Sequence, residues 1–162
     1  EVMPFFLPRK CKKFFADIFD SKNKDGTKLK LYFDEYYYCL MVGLAVGKYD
    51  ADAELEKSEI TDSYPEEYAE SRDYIAGLLL ATERQRRGIP EGDGSALEQL
   101  MTEYVDATSK THLSAAGERR LNQYAAWGME IILDAMVHPV RLEEFLVDYL
   151  DAFQTGRFTD EQ

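Results

Sequence analysis

The segment 34–46 constrains the fold most, because it has the hydrophobic spacing of a helix but is apolar on every side. Its run from Tyr36 to Val46 contains no charged residue. A helix without a polar face has no side to turn to water and belongs in the interior of a bundle. The sequence therefore predicts a central buried helix here, with Asp34 capping its start and other helices packed around it.

Helical spacing recurs along most of the chain. The other predicted helices are 11–20, 63–87, 95–108, 114–137 and 141–154. Two of them open with capping boxes, Ser63 with Glu66 and Ser95 with Glu98. Alternating residues leave room for one short extended segment at 29–33. The predicted fold class is all-α, a compact single-domain bundle of five to six helices.

The length of 162 residues fits one domain, and such a domain buries about two-thirds of the surface of its unfolded chain. We expect residues 1–162 to form that domain, with three less regular parts. These are an N-terminal arm at 1–10, a flexible glycine-rich loop at 88–94 and a frayed tail at 155–162.

Cysteine usage and the lengths of the apolar runs point to the cytoplasm. Only Cys11 and Cys39 are present, and Cys39 lies in an apolar run that favours a buried, reduced thiol. A pairing of the two cysteines stays open. The apolar run 4–7 is too short for a signal-peptide core. The run 36–46 is shorter than the ~20 residues that span a bilayer, so no membrane association is expected.

The net charge of −12 is unevenly distributed. Residues 1–30 carry +4, whereas residues 49–73 hold ten acidic and two basic residues. An acidic surface repels nucleic acid and attracts basic partners, so direct nucleic-acid binding is not expected. Solubility alone also explains such a surface. The acidic patch consists of Asp50, Asp52, Glu54, Glu56, Glu59 and Asp62.

A basic patch of Arg84, Arg86 and Arg87 lies at the end of the predicted helix 63–87. Positive charge at this position compensates the helix dipole. A contact with a small anion or a nucleic acid is the alternative, which the opposite sign of most of the chain disfavours.

No motif specifies a reaction. The loop around Asp25 and Gly26 resembles a calcium loop, but Tyr32 occupies the position of the bidentate ligand and Glu35 comes three residues late. Asp134 and His138 have the spacing of a metal pair, yet two ligands do not make a site. We therefore expect no catalytic residue, metal or cofactor. A metal-dependent enzyme built around Glu130, Asp134 and His138 stays as an alternative.

Aromatic residues exceed what one helix–helix seam needs. Tyrosine and tryptophan are favoured at interfaces, where they bury a large area and keep a polar group accessible. The interface candidates are Tyr36, Tyr37, Tyr124 and Trp127. Packing within the core is the alternative explanation for all four.

Two segments carry a resemblance to a known family. Residues 33–49 (FDEYYYCLMVGLAVGKY) and 123–133 (QYAAWGMEIIL) resemble the small accessory proteins found beside bacterial DNA-phosphorothioation (Dnd) defence genes. Those proteins have an early aromatic-then-apolar helix ending in a Gly-basic step and a late Tyr-Ala-x-x-Gly helix. The resemblance covers about thirty residues and implies a non-catalytic helical partner of larger ATPase or DNA-processing subunits.

The leading hypothesis is a non-catalytic accessory or adaptor protein that binds a larger protein partner. An acidic mimic of nucleic acid, which would inhibit a DNA- or RNA-binding protein, is the first alternative. The metal-dependent enzyme is the second. The sequence does not determine the oligomeric state.

Overall fold

Six α-helices form within residues 4–159, the part of the chain that the computed structural model describes. No strand forms in this range, where extended segments meet only in isolated bridges. The all-α prediction is therefore confirmed. Short 3₁₀ segments occupy Ala16–Ile18 and Glu66–Ser71. The helices are α1 (Cys11–Phe14), α2 (Tyr32–Val46), α3 (Arg72–Arg86), α4 (Gly94–Tyr104), α5 (Ala115–Ala135) and α6 (Leu142–Gln154).

Helix α2 is the buried centre of the bundle, as predicted, and its most extensive helix contact is with α5. Glycines allow the two backbones to touch. A Cβ atom on Gly43 would lie 2.0 Å from the Tyr124 carbonyl oxygen, and one on Gly128 would lie 1.8 Å from the Cys39 carbonyl oxygen. No side chain other than hydrogen fits at either position.

Helix starts were predicted with mixed success. Ser114 caps α5 by accepting a hydrogen bond from the Gly117 N–H, as expected. The capping box at Ser63 is wrong, because the chain after Pro65 first forms the 3₁₀ segment. The box at Ser95 is also wrong, because Asp93 caps α4.

The predicted extended segment at 29–33 is only partly present. Leu29 pairs with Phe19 in a single parallel bridge, and α2 already begins at Tyr32. The helix starts early because the Asp34 carboxylate accepts a hydrogen bond from the Leu31 N–H at 3.2 Å. The same geometry leaves Asp34 in the first turn of the helix and not before it.

The N-terminal segment packs on the bundle, so the arm predicted at 1–10 is wrong for residues 4–10; residues 1–3 lie outside the described range. Phe5 and Leu7 are buried at 0% and 1% exposure. The segment pairs with the acidic stretch through bridges from Phe5 to Thr61 and from Pro8 to Leu55. Apolar burial and backbone pairing together hold it in place.

The segment after α6 is also packed. Phe158 is buried against the rings of Tyr149 and Phe153, at centroid distances of 5.5 and 5.0 Å. Arg157 donates a hydrogen bond to the Ala135 carbonyl oxygen at 3.1 Å. The frayed tail predicted at 155–162 is therefore wrong for residues 155–159, and residues 160–162 lie outside the described range.

Within residues 4–159, no helix combines the length and the apolar character that crossing a membrane requires.

Candidate functional site

An open groove between α2, α3 and α6 has a volume of about 390 Å³, and aromatic and aliphatic side chains form most of its lining. We call it the apolar groove. Each helix contributes side chains spaced one turn apart, so that each presents a continuous ridge. Its main lining residues are Tyr37 and Met41 from α2, Tyr74 and Leu78 from α3, and Tyr149 and Phe153 from α6.

The groove continues onto exposed apolar side chains. Tyr74 on its rim is 61% exposed. Leu146 and Leu150 on α6 are 40% and 57% exposed, and helical spacing places them beside Tyr149 and Phe153. Contiguous apolar surface of this kind marks binding sites more often than isolated apolar residues do.

The structure separates the four interface candidates. Tyr36 and Tyr124 are fully buried, so their assignment to an interface is wrong. Tyr36 donates to the Asn122 Oδ1 at 2.9 Å, and Tyr124 donates to the Glu83 Oε1 at 2.7 Å. Their hydroxyls thus have partners inside the protein.

The other two candidates lie nearer the surface. Tyr37 is half-buried in the apolar groove. Trp127 is half-buried on α5, and its Nε1 atom has no hydrogen-bond partner among the described residues. Of the four candidates, Tyr37 is therefore the one that lines the apolar groove.

The basic patch turns inward onto a buried carboxylate. Glu83 is fully buried and accepts from Arg86 at 2.7 Å, from Arg87 at 3.2 Å and from Arg120 at 2.9 Å. Burial would raise the pKa of Glu83, but the hydrogen bonds from Arg86 and Tyr124 and the charge of Arg120 outweigh it and lower that pKa. We call this set the Glu83 network.

The arginines have further partners. Arg87 makes a second ion pair with Glu103 at 2.9 Å, and Arg84 lies 3.9 Å from Glu91. The ring of Tyr49 lies under the Arg120 guanidinium at 3.8 Å. All three basic-patch residues are therefore engaged by their own chain, which disfavours the anion-binding alternative.

The acidic patch is divided between ion pairs and a cavity. Glu54 pairs with Arg9 at 3.3 Å, and Asp62 pairs with Lys110 at 3.3 Å. Glu56 and Glu59 are half-buried where the stretch pairs with the N-terminal segment. Asp50 and Asp52 instead line a cavity described next.

A mixed-charge cavity of about 350 Å³ lies between the N-terminal segment, the acidic stretch and α5. We call it the acidic cavity. Its carboxylates outnumber its two cationic groups, and the side chain of Met129 forms part of its wall. The charged residues that line it are Arg9, Lys10, Asp50, Asp52, Glu54 and Glu130.

Three sulfur atoms meet beneath this cavity. The Cys11 Sγ lies 3.5 Å from the Cys39 Sγ and 3.3 Å from the Met129 Sδ, and the third side of the triangle is 3.6 Å. All three residues are buried, and both cysteines are free thiols. We call this set the sulfur triad. The close approach of Gly128 to the Cys39 backbone brings Met129 beside Cys39.

A buried carboxyl group lies one helical turn before Cys39. Glu35 is fully buried, and neither of its oxygens has a hydrogen-bond partner among the described residues. Burial raises its pKa to about 8, an effect that the charge of Lys12 partly opposes. The pKa of the Cys11 thiol is raised, mainly by burial. The hydrogen bond and charge of Cys39 and the charge of Glu35 contribute further to this increase.

The residues of the enzyme alternative do not converge. His138 lies beyond the end of α5 and contacts the Asp17 carboxylate at 2.8 Å, while Glu130 pairs with Lys10 at 2.9 Å. His138 does not share a helix face with Asp134, because α5 ends at Ala135. Within residues 4–159, no three His, Cys, Asp or Glu side chains group as metal ligands.

No protein-family model, curated protein or solved structure matches this chain.

Sequence reasoning missed the Glu83 network, the sulfur triad and the burial of Glu35. The members of the sulfur triad are 28 to 118 residues apart along the chain. In the Glu83 network, Arg120 and Tyr124 are 37 and 41 residues from Glu83. Glu35 left a signal, because it stands at the start of a helix predicted to be buried on every side.

Proposed function

We propose that this protein is a non-catalytic adaptor whose apolar groove binds one amphipathic helix of a larger protein partner. The observation that supports this proposal is the open groove, which three helices line with aromatic and aliphatic side chains. An amphipathic helix in such a groove inserts apolar residues spaced three and four apart, which match the ridges of the groove.

Charge at the rim favours a partner helix with basic flanks. Glu70 is exposed one turn before Tyr74, whereas Asp73 contacts His112 and both Asp148 and Asp151 already pair with Arg157. The whole chain carries a net charge of −12. Complementary charge steers association and selects among partners more than it adds affinity.

The acidic-mimic alternative has less support. Two of its carboxylates, Glu54 and Asp62, already face basic side chains of the same protein. The resemblance of residues 33–49 and 123–133 to Dnd accessory proteins makes a prokaryotic DNA-modification or defence complex the first setting in which to seek the partner.

The test is an affinity purification of the tagged chain from its native host, with and without nuclease, at low and high salt. Tyr74→Glu places a charge on the groove lining, and Leu150→Glu places one on the exposed apolar surface of α6 that continues the groove. Val137→Glu is the matched control, since Val137 is 86% exposed and does not line the groove. A photo-crosslinking residue at Ala45, an exposed lining position, identifies the partner segment.

We expect one large protein to survive nuclease and high salt, to be lost with both groove variants and to be retained with the control. Its cross-link should map to a helix with basic flanks. A partner that high salt releases, and that the groove variants still bind, would instead support the mimic, because phosphate-like binding weakens steeply with salt.

A further inference from the structure

We propose that the sulfur triad of Cys11, Cys39 and Met129 is a binding site for a single Cu(I) ion, which enters through the acidic cavity. This inference is independent of the apolar groove. It rests on the arrangement of the three sulfurs and on the cavity above them.

The triad has the geometry of a three-coordinate site. Its sulfur–sulfur distances are 3.5, 3.3 and 3.6 Å, so the triangle is close to equilateral. An ion equidistant from the three atoms would be about 2.0 Å from each, roughly 0.3 Å shorter than a typical Zn–S bond. Small side-chain rotations away from the centre would provide the remaining space.

The donor set selects the ion. Two thiolates and a thioether are soft ligands, which favour Cu(I) over the harder divalent metals. Structural zinc takes four ligands from cysteine, histidine and carboxylates, and no third residue of these types joins the cysteines within residues 4–159. A thioether as the third ligand therefore favours copper.

The acidic cavity provides the entry path. Met129 is only 1% exposed, yet it forms part of the cavity wall, so one member of the triad borders the cavity. Glu54 and Glu130 pair with Arg9 and Lys10, and Asp50 and Asp52 leave the cavity with an excess of negative charge that attracts a cation. Cys11 belongs to α1, a helix of four residues, and a single turn can open locally at low cost.

Binding requires no change of oxidation state. Each thiol loses its proton as a Cu–S bond forms, so one Cu(I) ion replaces two protons and the Met129 lone pair completes the coordination. The buried site then carries one net negative charge.

The test is an anaerobic titration of the reduced chain with Cu(I) in competition with a chromogenic Cu(I) chelator. The expected result is one ion per chain, with two protons released and only sulfur neighbours in X-ray absorption. Met129→Leu keeps the volume of the side chain and removes the sulfur, and we expect it to weaken binding by at least about tenfold. Met136→Leu is the matched control, since Met136 is also buried.

The thiols are tested separately. Cys11→Ala and Cys39→Ala should each abolish binding that competes with the chelator, and circular dichroism of each variant checks that it is folded. Affinity that Met129→Leu leaves unchanged, or a chain that takes up no copper, would overturn the proposal. So would a Cys11–Cys39 disulfide that persists in the reduced preparation, because no thiolate would then be available.

Discussion

At the scale of single residues, Glu35 is the most unusual group in the protein. Most buried carboxylates are paired or hydrogen-bonded, and Glu83 has arginine and tyrosine partners of this kind. Glu35 is equally buried and has no hydrogen-bond partner among the described residues. Its environment therefore favours the neutral form and raises its pKa to about 8.

The stability of the fold should consequently fall as pH rises. Glu35 has an ordinary pKa of 4.5 in the unfolded chain and about 8 in the folded chain. Between these values the folded state holds a proton that the unfolded state has lost, so raising the pH favours unfolding. The stability that Glu35 contributes is complete below its unfolded pKa and is lost as pH passes through about 8.

Replacing Glu35→Gln should remove this dependence. We expect the variant to be more stable than the native chain by about 1–3 kcal/mol at pH 8.5 and nearly equal to it at pH 5. Urea unfolding at both pH values measures the difference. The control is Glu67→Gln, since Glu67 is exposed, and it should match the native chain at both. If Glu35→Gln differed from the native chain in stability by the same amount at both pH values, a buried, protonated Glu35 would be contradicted.

At the scale of helices, the crossing of α2 and α5 decides the geometry of the bundle. The backbones touch at Gly43 and Gly128, where an added methyl group would overlap a carbonyl oxygen. The same contact places Met129 against Cys39. One glycine therefore affects both the packing of the core and the position of the sulfur triad.

Substituting Gly128→Ala should destabilise the fold by about 3 kcal/mol or more, because the helices must separate to accept the methyl group. Gly77→Ala is the matched control. Gly77 is exposed in α3 with open space around its Cβ position. Alanine there should increase the free energy of unfolding by about 0.5–1 kcal/mol, because alanine has the higher helix propensity. Chemical denaturation of the two variants measures whether Gly128→Ala lowers the stability and Gly77→Ala raises it. A stable Gly128→Ala variant would show that the crossing is not tight.

The sequence predicted that the helices form, but it did not predict where each helix ends or which of its faces is exposed. Periodicity located α2, α5 and α6 within a few residues. The start of α4 was misplaced because Asp93 competes with Ser95 as a cap, and only the path of the incoming chain decides between them. Tyr36 and Tyr37 are adjacent and identical in type, yet one is fully buried and the other lines the groove.

At the scale of the whole molecule, the basic N-terminal segment meets the acidic stretch of residues 49–73. The basic N-terminal segment lies along the acidic stretch, with the Arg9 N–H donating to the Glu54 carbonyl oxygen at 3.0 Å. The sequence revealed both charges but not their contact, because the partners are about fifty residues apart in the chain. Long-range pairing of this kind depends on the completed bundle and has no local signal.

Ion pairing nevertheless contributes less than apolar burial to the stability of the packed N-terminal segment. The Arg9–Glu54 ion pair is exposed at both ends, and pairs of this kind contribute about 0–1 kcal/mol. The ring of Phe5, by contrast, is fully buried and packs against Phe33 and Tyr64 at centroid distances of 5.1 and 5.0 Å. Apolar burial should therefore account for most of the stability that the segment adds.

Two variants separate these contributions. Phe5→Ala should destabilise the fold by about 3–5 kcal/mol, as large-to-small changes in a packed core do. Arg9→Ala should cost less than about 1 kcal/mol, and that loss should disappear at high salt because the ion pair is exposed. Urea denaturation at low and high salt measures both. If Phe5→Ala cost no more than Arg9→Ala, the segment would be a loosely held arm and α1, with Cys11, would lose its anchor. Cys11 would then be accessible from the side of α1 as well as from the acidic cavity, and the triad would react with thiol reagents without prior unfolding.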